Sequence, residues 1–145
     1  MEVRELLTSE AEEFRKVIES IPSNEFSVTC QLHHSYPFAA CGDSSMLLGK
    51  YLYDHFNIDC SYIAASCLIE GKEMQTHAWI EAEGYKVDIT ADQFEGVNKR
   101  VVVSKDHPFY EWYEPKIIRK ISEYFPVELI SSYNRIVSEV DKMNI

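Results

Sequence analysis

The chain has 145 residues, 46% of them hydrophobic and 12% aromatic, with five Gly and five Pro. A chain of this size and apolar content buries one core, which excludes a disordered or low-complexity protein and predicts a single domain over residues 1–145. The net charge of −10 leaves no basic stripe for nucleic acid or an anionic membrane surface, so neither is an expected partner.

The opening Met1-Glu2-Val3-Arg4-Glu5 has no basic start leading into an apolar run. No segment approaches the ~18 uninterrupted apolar residues of a membrane span, and the expectation is a soluble, cytoplasmic protein. Ser9 and Glu12 have capping-box spacing, and Phe14, Val17, Ile18 and Ile21 follow in helical period, predicting a helix from Ser9 to Pro22. Residues 23–40, interrupted by Pro37, read as an irregular connection. Leu48, Tyr51, Leu52 and Phe56 then repeat with helical spacing after Cys41-Gly42-Asp43-Ser44-Ser45, and Asn57 offers a stop, giving a helix over 41–56.

From Ile58 to Ser104 the pattern changes to runs rich in β-branched and aromatic residues, Ile58–Glu70, Met74–Glu83, Tyr85–Thr90 and Arg100–Ser104, punctuated by Gly71, Gly84 and Gly96. These predict antiparallel strands. After the aromatic loop Pro108–Tyr113, Pro115 sits at a helix start with Ile117, Ile118 and Ile121 in period. Pro126 opens a last helix carrying Ile130, Tyr133, Val137 and Val140. Terminal helices around a block of consecutive strands predict the α+β class, with a helix packed on an antiparallel sheet.

The four cysteines, Cys30, Cys41, Cys60 and Cys67, form no CxxC pair and read as thiols. Cys41 opens a helix, where unpaired N–H groups and the helix dipole favour a thiolate, and its spacing from Leu48 turns it toward the core-facing side. Cys30, Cys60 and Cys67 lack such a position and read as buried filler. On the strand Gln75–Ala82, His77, Trp79 and Glu81 share one face. If Glu83-Gly84 is a two-residue turn, Glu81 pairs with Lys86, Ile80 with Val87 and Trp79 with Asp88, which makes Asp88 the diagonal neighbour of His77. A nucleophile, a base and an orienting carboxylate are the parts required for acyl transfer. The Cys41 backbone N–H is a natural oxyanion donor, with Gln31 as a candidate second donor from the preceding loop.

These residues resemble the transglutaminase-like branch of the papain-like cysteine enzyme superfamily. The likeness lies in Cys41-Gly42-Asp43-Ser44-Ser45 entering a helix, His77-Ala78-Trp79-Ile80-Glu81 on a strand and Val87-Asp88-Ile89-Thr90 on the next, over roughly residues 37–94. The resemblance implies a papain-like fold, a Cys41–His77–Asp88 triad acting on amide bonds of a peptide or protein, and no metal or other cofactor in the chemistry. Among the superfamily's peptidases, deamidases, cross-linking enzymes, acetyltransferases and inactive members, hydrolysis is the first expectation, because a small open domain does little to exclude water.

Other readings use the same residues. Cys41, His77 and Asp88 are zinc-ligand types and His33-His34 lies near in sequence, but paired structural-zinc spacing is absent. Trp79 can shield the Cys–His pair, wall the substrate or fill the core. The aromatic run Phe109–Tyr113 can roof a cleft, form a subunit contact or pack under the last helices. A non-enzymatic alternative is an acidic protein-binding module on the same fold, whose charge speeds docking to a basic target.

Overall fold

A computed structural model of the chain describes residues 2–34, 36, 40–71, 73–94 and 96–143. Helix α1 spans Val3–Ser20, α2 spans Cys41–Phe56 and α3 spans Ile130–Met143. Five strands, β1 (Ser61–Ile69), β2 (Glu73–Ala82), β3 (Tyr85–Asp88), β4 (Val102–Ser104) and β5 (Glu114–Lys120), form one sheet in the order β4-β3-β2-β1-β5 with every neighbouring pair antiparallel. The α+β class is thus the observed one. Among the described residues no helix is long and apolar enough to cross a membrane.

Alternation along the strands divides the apolar side chains between two faces. Ile80, Ala82, Val87 and Val103 meet the helices in one cluster, with Leu7, Phe14, Leu48, Leu52 and Ile136 among its buried members. Ile63, Ala65, Trp79 and Val102 point the other way, into a smaller cluster closed by Ala91, Val97, Tyr110 and Tyr113 from the irregular segments.

Helix α1 starts six residues earlier than the Ser9 cap suggests, and Ser9 is an exposed position within it. Burial decides this: Leu7 and Ala11 extend the stripe of Phe14 and Ile18 and are fully enclosed, so packing holds a turn that lacks a side-chain cap. Helix α2 has its expected bounds and ends on Asn57 in the left-handed conformation (φ 55°). Pro37, on which the expected break before α2 rested, lies outside the described residues.

The largest departure is at Pro115–Ile121, where a helix is expected and β5 is found. β5 pairs with the otherwise open edge of β1, Tyr62 opposite Arg119 and Ile63 opposite Ile118, with a bulge between Ala64 and Ala65. An edge strand tolerates Pro115, and the β-branched Ile117 and Ile118 suit a strand.

Helix α2 approaches the sheet closely at Gly49, where an added Cβ would lie 2.7 Å from Ile121 Cγ1. Gly49→Ala is expected to lower stability by about 1–3 kcal/mol through overpacking, measured by urea unfolding.

Candidate active site

The Glu83-Gly84 turn has positive φ at both positions (53° and 84°), the geometry of a tight two-residue hairpin. It sets the register Ala82–Tyr85, Glu81–Lys86 and Ile80–Val87, and His77 Nε2 donates to Asp88 Oδ2 over 2.6 Å. Both side chains are fully enclosed. The carboxylate has further partners: the Tyr110 hydroxyl donates to Oδ2 at 2.6 Å and the Thr90 N–H to Oδ1 at 2.9 Å. A buried carboxylate with this many donors is fixed in position and fixes the ring that it holds.

The other ring nitrogen, Nδ1, is buried without a hydrogen-bond partner of good geometry among the described residues. The Cys41 side chain is nevertheless near enough to favour a proton on this ring. Cys41 is partly buried at the first turn of α2, whereas the imidazole and the carboxylate are sealed. Burial works against a charged imidazole. The charge and hydrogen bond of Asp88, aided by Cys41, outweigh it, and the His77 pKa is pushed up to about 9. The ring therefore carries its proton at neutral pH.

His77's contribution to stability is fully present below its ordinary pKa of 6.5 and is lost as the pH rises through about 9. Urea unfolding of wild type and His77→Gln on either side of that window should show the difference between them shrinking on the alkaline side. A constant difference would contradict the shift.

Four aromatic rings surround the imidazole: Phe94 edge-on at 4.7 Å, Trp79 at 5.8 Å, Phe109 at 6.0 Å and Tyr113 at 6.2 Å. Trp79 is 2% exposed and packs behind His77, against Tyr110. The Phe109–Tyr113 segment supplies part of this wall, and its Tyr110 anchors Asp88.

Gln31 lies in a short 3₁₀ turn (Gln31–His33), its side chain exposed and its N–H donating to Asp43 Oδ2 at 2.8 Å. This ties the preceding loop to the first turn of α2. The first helical hydrogen bond runs from Ser44 N–H to Ala40 O, so the N–H groups of Cys41, Gly42 and Asp43 have no acceptor within the helix. Beside them is a residue the sequence did not single out, Tyr62 on β1. A Cβ on Gly42 would lie 3.2 Å from the Tyr62 hydroxyl. Burial, then the charges of Cys41 and Asp43, raise the pKa of this phenol and keep it a donor.

The other thiols differ from Cys41. Cys30 and Cys60 are buried, and burial raises both, Cys60 to about 12. Cys67 departs from the buried-filler expectation: it is half-buried at the edge of the aromatic cluster. His33 and His34 are loop histidines bonded to the carbonyls of Phe26 and Val28. His55 is bonded to the Tyr51 carbonyl. Among the described residues no three His, Cys, Asp or Glu side chains converge as a metal site requires. No family model, curated protein or solved structure matches this chain.

Proposed function

We propose that this protein is a thiol-dependent hydrolase or acyltransferase acting on amide bonds of a peptide or protein, on a fold of the transglutaminase-like, papain-like kind. One observation carries the reading: His77 is held through Nε2 by a fully anchored Asp88, while Cys41, a partly buried thiol at a helix start, lies near enough to the same ring to favour its proton. A structural histidine has no need of a sealed carboxylate on one nitrogen and a reachable sulfur near the other.

In the first half-reaction the Cys41 sulfur attacks the amide carbonyl carbon and His77 gives its proton to the departing amine as the C–N bond breaks. In the second, His77 takes a proton from water as the oxygen attacks the thioester, releasing the acid and the sulfur; an amine in place of water gives transamidation. Asp88 holds the ring throughout. The N–H groups of the first turn of α2, which have no acceptor within the helix, and the Tyr62 hydroxyl serve as donors to the developing oxyanion.

The test is a panel of peptide amides, including glutamine side-chain amides, followed by mass spectrometry for hydrolysis, deamidation and amine incorporation. Wild type is expected to convert at least one class and Cys41→Ala none. Conversion by Cys41→Ala at the wild-type rate refutes the reading. Tyr62 is tested by two thiol reagents. Tyr62→Phe should slow acylation of Cys41 by p-nitrophenyl acetate, which passes through an oxyanion, by about tenfold or more while leaving alkylation by iodoacetamide unchanged. Equal slowing of both reactions would remove it from the oxyanion site.

A further inference from the structure

A cavity of about 500 Å³ opens between α1 and the segment around β4, away from the residues of the triad. Its lining collects Arg4, Arg15 and Lys16 from the helix and Lys99 and Arg100 from the segment before β4. These are five of the 14 basic side chains of a chain whose net charge is −10. Two are engaged within the protein. Arg15, 3% exposed, is gripped by both Asp92 oxygens at 2.7 and 2.9 Å and by the carbonyls of Ile89 and Arg100, and Arg100 pairs with Glu19.

Arg4, Lys16 and Lys99 have no ion-pair partner among the described residues, although the chain has 24 acidic side chains. Against these three cations the lining sets one carboxylate, Glu12. Like charges gathered at one cavity repel one another until an anion joins them, and a cleft with low-dielectric walls focuses that field. A monovalent carboxylate leaves most of that charge unmatched, whereas a polyphosphate chain carries several negative charges and many acceptor oxygens. Val101 and Val103, whose side chains lie on the helix side of the sheet, add apolar surface, and the volume falls within the ~300–1,000 Å³ range of small-molecule sites.

We propose that this cavity binds an organic polyphosphate of nucleotide size, its phosphates among Arg4, Lys16 and Lys99 and its apolar body on Val101 and Val103. The inference is independent of the acyl-transfer reading.

Isothermal titration calorimetry of the full chain at low ionic strength, with ATP and with inorganic tripolyphosphate as probes, tests it. ATP is expected to bind saturably at one site and more tightly than tripolyphosphate, which has no body to place on the valines. Lys16→Ala/Lys99→Ala should weaken ATP binding by about tenfold or more, and Lys16→Gln/Lys99→Gln should do the same if the alanine variant folds poorly. Lys116→Ala, on β5, should retain wild-type affinity, as should Cys41→Ala. Absence of saturable ATP binding, or unchanged affinity in both double variants, overturns the site. Equal affinity for the two probes overturns the organic half of the assignment.

Discussion

His77→Ala is expected to slow acylation of Cys41 by p-nitrophenyl acetate by about 10²–10⁴-fold, the range that a positioned acid–base group contributes. The imidazole is the only titratable ring placed between the sulfur and the buried carboxylate among the described residues, and its pKa, pushed up to about 9, makes it a proton carrier beside the thiol at neutral pH. Removing it leaves the sulfur with no group to exchange its proton. The same change deletes a fully buried ring from a wall of four aromatics, so His77→Gln, which retains more volume, is the companion variant. Both should lose acylation to a similar degree if proton transfer rather than packing is responsible. A loss confined to the alanine variant would assign the effect to packing.

Asp88→Ala is expected to destabilise the fold by about 3–5 kcal/mol, the usual penalty for removing one member of a buried charged pair. Four donors from three buried residues aim at this carboxylate, the His77 ring, the Tyr110 hydroxyl and both the N–H and the hydroxyl of Thr90. Asp88→Asn separates shape from charge. It keeps the volume and an acceptor for Tyr110, but removes the charge that holds His77 protonated, so burial then governs the ring and its pKa falls from about 9. Acylation should drop in both variants, with some activity remaining, while the stability loss is greater for alanine. Urea unfolding measures the stability and stopped-flow release of p-nitrophenol the rate; an active, stable Asp88→Ala would contradict the role.

The helix opened by Cys41 and the hairpin that joins His77 to Asp88 were readable because both are local. Asn57 stops the helix, and the Glu83-Gly84 turn fixes the hairpin register residue by residue. What was not readable depends on distance along the chain. Tyr110 reaches Asp88 from 22 residues away, out of a segment whose aromatic content showed only that it must pack somewhere. Tyr62 meets the start of α2 through the fold. Pro115–Ile121 carries an apolar period compatible with a helix, and the open edge of β1 selects the strand instead. At the N-terminus, the burial of Leu7 and Ala11 outweighs a capping box at Ser9.

Mass-spectrometric mapping of the acetyl group after brief exposure of the folded protein to p-nitrophenyl acetate reads the reactivity of Cys41 and its dependence on His77 together. One acetyl thioester, on Cys41, is expected to form in wild type, to disappear as water releases acetate, and to be absent from His77→Ala within the same interval. Acetyl spread evenly over Cys30, Cys41, Cys60 and Cys67, or an adduct on Cys41 that forms as fast without His77, would contradict it.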